Sequence, residues 1–115
     1  RFVANINPLH VLYAGVLMRS LEQFPESNGQ FELDHDWQLQ LDNSGQATRL
    51  SLNHQAAEIK TIDYDAWMSD VVEIAQQTDQ PLLVTQAGKV VGVISHKDIL
   101  QSLLRQTSTS SDHPM

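Results

Sequence analysis

The spacing of the apolar residues changes between the two halves of the chain, and this change limits the folds available to it. Between residues 31 and 41 the odd positions are apolar and the even positions polar, with His35 as the exception. A period of two predicts a β-strand with one face exposed to solvent and the other buried. The stretches PLLV and VVGVI, residues 81–84 and 90–94, are instead continuously apolar, as in short strands buried on both faces. Strands of both kinds, flanked by helical patterns, predict an α/β (α+β) domain.

The first half contains a predicted β-hairpin. Residues 42–45, DNSG, supply turn chemistry after the alternating stretch, and Leu50 and Leu52 then alternate with polar neighbours. We therefore expect residues 31–53 to form a hairpin that extends the sheet of the second half. Residues 22–30 contain Pro, Ser, Asn and Gly, a composition that predicts a loop. Residues 7–18 have mixed helical spacing and predict a short helix or an irregular segment.

The sequence of the second half predicts the order strand, helix, strand, strand, helix. A short extended piece around Ile59 and Ile62 precedes a helical pattern that we expect to start behind Asp63 or Asp65 as N-cap and to end near residues 78–81. After the two apolar strands, a last helix carries its apolar residues on one face. The apolar positions of the two helices are Trp67, Val71, Ile74, Ala75, Ile99, Leu100, Leu103 and Leu104. Trp37 and Trp67 are most simply core aromatics.

Composition excludes several classes of function. The 115 residues, 41% of them apolar, suit one compact domain. With 14 acidic against 7 basic residues the net charge is -7, which disfavours nucleic acid as a partner. There is no cysteine, no phosphate-binding loop of the P-loop type, no nucleophile–base pair and no apolar run of the roughly 20 residues that cross a bilayer. We therefore expect neither catalysis by this chain nor direct membrane insertion.

Residues 57–105 resemble a cystathionine-beta-synthase (CBS) repeat, a unit with the same order of elements. The segment from Gly92 to Asp98 matches the Gly-apolar-x-Ser/Thr-x-x-Asp pattern of that family. CBS repeats normally work in pairs, and residues 19–56 depart from the pattern because they predict a hairpin where a helix should come first. The resemblance therefore implies a degenerate first repeat at residues 19–56 and a regular one at residues 57–105.

The segment FVANINPLHVLYAGVLM, residues 2–18, is similar to the segment that joins the ATPase domain to the C-terminal domain in ATP-binding subunits of glycine-betaine/choline-type ABC importers. His10 stands where those sequences usually carry Asn. On this resemblance residues 1–18 are a linker helix from a preceding domain. The polar composition of residues 106–115 predicts a disordered tail.

The importer resemblance implies a regulatory C-terminal domain that modulates osmolyte transport. Its partners would be the parent ATPase domain, the membrane subunits of the transporter and a second copy in a homodimer, placing it in the cytoplasm at the inner membrane. Expected core and interface positions are Val71, Ile74, Leu100 and Leu103. The alternatives are a free-standing CBS-type sensor of adenine nucleotides and a purely structural dimerisation module.

The Ser95-x-x-Asp98 motif has two interpretations. Its spacing is that of a capping box. In such a box the Ser95 hydroxyl accepts from the backbone amide of residue 98, and the Asp98 side chain accepts from the backbone amide of Ser95. In CBS modules that bind adenine nucleotides, the matching Asp accepts from the ribose and the Ser holds phosphate at the helix N-terminus. Lys97 could add a positive charge there, and Gly92 could mark close approach of a ligand or of another backbone. We predict a helix cap first, with adenine-nucleotide binding weak or absent and no other cofactor.

The run Asp34-His35-Asp36 has the composition of a metal site but not the expected geometry. On a strand His35 would face away from both carboxylates, so the three side chains could not converge. We therefore expect solvated or edge positions for these residues and no metal site in the chain.

Overall fold

A computed structural model describes residues 12–111 of the protein and, in the last helix, side chains through Ser102 together with Leu104. Two 3₁₀ turns, Leu21–Gln23 and Asp34–Asp36, accompany the regular elements. In chain order these elements are α1 (Ala14–Leu17), β1 (Arg19–Ser20), β2 (Glu26–Ser27), β3 (Gln30–Glu32), β4 (Trp37–Leu41), β5 (Ala47–Leu52), β6 (Gln55–Ala57), β7 (Thr61–Asp63), α2 (Met68–Ala75), β8 (Leu82–Gln86), β9 (Lys89–Ile94) and α3 (His96–Ser111).

The second half of the chain forms a four-stranded sheet with helices, in the predicted order of strand, helix, strand, strand, helix. The strand order is β1-β9-β8-β7. Strands β7 and β8 are parallel, so they need the crossover connection that α2 provides, whereas β8 and β9 are joined by a tight antiparallel turn. Strand β1 pairs antiparallel with β9 at the other edge. Arg19 and Ser20 therefore belong to this sheet, although the sequence assigned them to the preceding unit.

The predicted hairpin is present as β4 and β5, which pair from Trp37 opposite Leu52 to Leu41 opposite Ala47. The Asp42 carboxylate stabilises their turn by accepting from the amides of Ser44 and Gln46, at 2.9 and 3.0 Å. This hairpin does not extend the first sheet, as the sequence had predicted. It lies in a separate antiparallel sheet of order β2-β3-β4-β5-β6, which also takes up part of the predicted loop at residues 22–30.

The prediction of one strand over residues 31–41 was wrong. The chain reverses there, so that β3 and β4 are antiparallel neighbours with Phe31 opposite Leu39. The reversal passes through His35 and Asp36, with φ of 58° and 69°. His and Asp tolerate this left-handed region better than most residues do. The single break in the alternation, at His35, was the local signal of a turn.

Two apolar clusters hold the fold together. One lies between the helices and the first sheet and contains Ala14, Met68, Val71 and Ile94, all fully buried. The other joins the two sheets: on one side lie Leu33, Leu39 and Leu50, on the other Leu83, Val90 and Val93. Sheet-to-sheet packing needs one apolar face from the second sheet, which its period-two pattern supplies. Of the two predicted core tryptophans, Trp37 is partly buried in the second cluster, but Trp67 is 51% exposed.

The helix boundaries differ from those predicted. Helix α2 follows Trp67, and neither Asp63, which ends β7, nor Asp65 caps it. The backbone of the N-terminal segment satisfies its first amide instead, since Met68 N donates to Leu12 O at 2.7 Å. The helix already ends at Ala75.

Helix α3 runs to Ser111 instead of ending near residue 105, so residues 106–111 of the predicted disordered tail are helical. Residues 112–115 lie outside the described range, as do residues 1–11 of the predicted linker helix. No described helix is both long enough and apolar enough to cross a bilayer.

Candidate functional site

The Ser95-to-Asp98 motif forms a reciprocal capping box at the start of α3. The Asp98 carboxylate accepts from the Ser95 amide at 2.9 Å and from the Ser95 hydroxyl at 3.0 Å, both through Oδ2. In return, the Asp98 amide donates to the Ser95 hydroxyl oxygen at 3.3 Å. These bonds satisfy amides that the first turn of a helix otherwise leaves without partners. The predicted cap geometry is therefore confirmed, and one oxygen of the buried Asp98 side chain is fully used by it.

The second oxygen of Asp98 faces Arg19, a residue that the sequence did not single out. Arg19 Nε lies 3.1 Å from Asp98 Oδ1, although its hydrogen does not point at any described acceptor, so the contact is an ion pair without a well-aligned hydrogen bond. The same guanidinium lies 5.0 Å from the ring centroid of Phe24. Arg19 reaches this position because β1 pairs with β9, the strand that leads into the capped helix.

Arg19 also binds Asp34, which the sequence had placed in solvent. The guanidinium donates a hydrogen bond from Nη2 to Asp34 Oδ2. This hydrogen bond lowers the pKa of Asp34 below its ordinary value, and nearby charges, including Lys97, act in the same direction. Asp34 is therefore not the solvated carboxylate that the sequence had predicted. It connects the second sheet to the first through one shared cation.

Gly92 is explained by the backbone that packs against it. A Cβ at this position would overlap Met18 Sδ and would lie 2.8 Å from the Arg19 carbonyl oxygen. Strand β1 runs directly beside Gly92, with Ser20 as its paired residue. Of the two explanations left open for this glycine, close approach of a second backbone is the one that the described contacts support.

A small cavity opens beside the capping box, between the start of α3 and the turn that joins β3 to β4. Its volume is about 160 Å³, which is below the roughly 300 Å³ at which drug-sized ligand sites begin. Lys97 is exposed at its rim. The polar residues around it are Arg19, Asp34, His35, Asp79, Ser95, His96 and Lys97. The fold thus brings three of the four predicted site residues to one place: Ser95 and Lys97 line the cavity and Asp98 lies directly behind it.

A second surface lies between helices α2 and α3. An apolar groove of about 260 Å³ is bordered by Val72, Ala75, Ile99 and Leu100. Leu100 and Leu104, one helical turn apart, are 58% and 62% exposed. Of the other predicted interface positions, Val71 is fully buried and Ile74 partly buried, while the side chain of Leu103 lies outside the described part of the structure.

Comparison with known proteins relates the chain to CBS domains through its fold. No family model and no curated protein matches it. A CBS domain-containing protein of unknown function from Bacillus anthracis is similar with a TM-score of 0.64 and 12% identity, over 85% of this chain and 96% of that one. A hypothetical conserved protein from Geobacillus kaustophilus gives 0.62 and 10%, over 83% and 98%.

A eukaryotic CLC transporter is also similar, with a TM-score of 0.56 and 15% identity, over 82% of this chain and 22% of the transporter. At such identities the similarity shows the fold and nothing finer. The chain has a mixed α+β, CBS-like fold.

Proposed function

We propose that this chain is the regulatory C-terminal domain of the ATP-binding subunit of an ABC importer for glycine-betaine/choline-type osmolytes. In this proposal it modulates transport and helps to pair two ATPase subunits, and it performs no catalysis itself. The CBS-like fold supports the regulatory role, and the resemblance of residues 2–18 to the linker of such importers supports the transporter context. The observation that carries the proposal is the exposed apolar surface of helices α2 and α3.

This helical surface has the character of an interface. Leu100 and Leu104 project from α3 with more than half of their surface in solvent, next to the apolar groove that Val72 and Ile99 border. Apolar side chains that cluster beside a groove mark association sites more often than isolated exposed leucines do. If two copies were related by a two-fold axis near α3, Leu100 and Leu104 of each copy would lie in the groove of the other. The contact would then be self-complementary.

Self-association can be tested by sedimentation of the chain over a range of concentrations. We expect a dimer that Leu100→Asp converts to monomer, because a carboxylate would be buried without a partner in the interface. Gln101→Asp, one residue along the same helix, is the matched control and should leave the dimer intact. A wild-type chain that stays monomeric at the highest concentration would remove the basis for the helical interface.

The capping box supports regulation without tight adenine-nucleotide binding. Both oxygens of Asp98 are engaged, one by Ser95 and the other by Arg19. Ribose hydroxyls could reach this carboxylate only by displacing Arg19, which would leave a guanidinium without one of its two anions. The cavity is also small for a nucleotide. A free-standing nucleotide sensor is therefore the second candidate.

A thermal-melt titration with AMP and ATP separates the two candidates. A true site, at 100 times its dissociation constant, would add about 2.7 kcal/mol of stability. We expect no saturable rise in Tm with either nucleotide. A saturable rise that disappears in Asp98→Ala would favour the sensor instead.

The transporter context has its own test. Under the proposal, the coding sequence ahead of Arg1 encodes a P-loop, an ABC signature and a Walker B segment. In the full subunit, Leu100→Asp should alter osmolyte-dependent transport, while Gln101→Asp should not. If Leu100→Asp abolished pairing but left transport and its regulation unchanged, the domain would be a structural dimerisation module only.

A further inference from the structure

The outer face of the second sheet carries a row of polar side chains that the CBS-like fold does not explain. The inner face buries Leu39 and Leu50 against the first sheet. Because neighbouring residues of a strand point to opposite faces, Gln38 and Gln40 on β4 and Arg49 and Ser51 on β5 face outward. The register places Gln40 opposite Arg49 and Gln38 opposite Ser51.

These side chains border a cavity of about 420 Å³, within the usual size range of small-molecule sites. The cavity lies on the side of the sheet away from the capping box. Six polar residues line it: Gln30, Gln38, Gln40, Arg49, Ser51 and His54. Amides, a hydroxyl and an imidazole surround one guanidinium, and no carboxylate is among the lining residues.

Arg49 is the cation of this cavity, and its geometry leaves it available to an anion. Its Nη2 donates to the His54 carbonyl oxygen at 3.2 Å, which fixes the side chain over the sheet. His54 lies in the two-residue turn between β5 and β6 with a φ of 69°. Among the described ion pairs none includes Arg49, although the chain has twice as many acidic as basic residues. A guanidinium placed in this way can bind a carboxylate through two parallel hydrogen bonds.

The other polar groups around Arg49 are suited to form hydrogen bonds with the hydroxyl groups of a ligand. Ser51 is only 6% exposed, and none of the described side-chain hydrogen bonds involves its hydroxyl. The side-chain nitrogen of Gln38 donates to Glu32 at 3.2 Å, and that of Gln40 to the Leu41 carbonyl oxygen at 3.3 Å. Each of these glutamines therefore has its side-chain oxygen left to accept a hydrogen bond. The carboxylate of Glu32, next to Gln38, would repel a ligand that carries several negative charges.

We propose that this outer-face cavity binds a small organic monocarboxylate that also carries hydroxyl groups. The carboxylate pairs with Arg49, the ligand hydroxyls donate to the oxygens of Gln38 and Gln40, and the Ser51 hydroxyl completes the set at the centre of the sheet. The proposal is independent of the transporter assignment, because it uses none of the residues of the helical interface or the capping box.

The test uses two probes that differ in the carboxylate, D-gluconate and the neutral polyol sorbitol. Both are titrated into the isotopically labelled full chain at matched ionic strength, while NMR follows the side-chain amides of Gln38 and Gln40. We expect saturable shifts with gluconate, with a dissociation constant in the millimolar range, and at least about tenfold weaker binding of sorbitol, since a charge-assisted hydrogen bond is lost.

Arg49→Gln should weaken gluconate binding by about tenfold or more. Lys89→Gln removes another exposed cation, at the start of β9 and outside the cavity lining, and should leave the binding curve unchanged. Equal binding of sorbitol and gluconate, an unchanged curve for Arg49→Gln, or no shift of the two glutamines beyond that caused by sodium chloride would each overturn the proposal.

Discussion

Arg19 Nε lies 3.1 Å from Asp98 Oδ1, and this ion pair connects the edge strand β1 to the first turn of α3. The side chain of Asp98 is only 7% exposed, so its charge has been removed from most of its water. A buried carboxylate needs a compensating cation and hydrogen-bond donors. Arg19 supplies the cation and Ser95 the donors, so the stability of the helix start depends on a residue of another strand.

Replacing Arg19 by Met tests this dependence. The substitution keeps an apolar stem over Phe24 but leaves Asp98 without its cation, so the free energy of unfolding should fall by about 2 kcal/mol. Urea denaturation at neutral pH measures the change. Arg49→Met, which removes an exposed guanidinium from the outer face, should stay within about 0.5 kcal/mol of wild type. Equal losses in the two variants would show that the ion pair does not contribute.

Replacing Ser95 by Ala tests the cap. The variant loses the hydroxyl that accepts from the Asp98 amide and donates to its carboxylate, so we expect a loss of about 1 kcal/mol without any ligand present. Ser69→Ala, at an exposed position in the first turn of α2, is the control and should have a much smaller effect. In a double-mutant cycle, Ser95→Ala and Asp98→Asn should be non-additive, because they remove the same interaction. Additive losses would contradict the reciprocal cap.

The pH dependence of stability should contain a contribution from Asp34. The hydrogen bond from Arg19 lowers the pKa of Asp34 in the folded state below the value of about 3.9 expected for an unfolded chain. This group therefore contributes stability above about pH 4, and the contribution is lost as the pH falls through the lower, folded-state pKa. Asp34→Asn should be less stable than wild type at pH 7, and the difference should shrink in acid. Urea unfolding at a series of pH values measures it.

The control for this prediction is the same substitution in the Arg19→Met background. Without the guanidinium, Asp34→Asn should leave the slope of stability against pH almost unchanged. If the two backgrounds showed the same pH-dependent difference, the pKa of Asp34 would have to be lowered by something other than Arg19.

Gly92→Ala tests why a glycine stands in the middle of β9. The added Cβ would overlap Met18 Sδ and the Arg19 carbonyl oxygen, so we expect a loss of about 2 kcal/mol. Met18→Ala should rescue only part of the loss, because the backbone oxygen remains 2.8 Å from the new atom. Differential scanning calorimetry gives the comparison.

Gly88→Ala is the matched control for Gly92→Ala. Gly88 has a φ of 79° and no atom within 4 Å of the added Cβ, so its replacement should cost only backbone strain of about 1 kcal/mol. Unchanged stability of Gly92→Ala would favour the alternative in which this glycine serves a ligand.

The features that depend on neighbouring residues could be predicted from the sequence. The order of strands and helices after residue 57 follows from the apolar residues, because helical spacing marks the two helices and short continuous runs bounded by turn residues mark strands β8 and β9. The hairpin of β4 and β5 follows from alternation around a turn-forming segment, and the capping box from a Ser and an Asp three residues apart. These interactions form within a few residues of chain, so their pattern can be recognised locally.

Which surfaces and charges meet depends on long-range packing, and local sequence patterns do not predict it. Alternation predicts that Leu39 and Leu50 share a buried face, but it does not say whether that face extends the first sheet or packs upon it. Nor does any local pattern distinguish Arg19 from the exposed Arg49. Arg19, Asp34 and Asp98 come together only because β1 pairs with β9 and the chain reverses at His35. Their attraction depends on distance and burial in the folded state, and neither quantity is encoded in residue spacing.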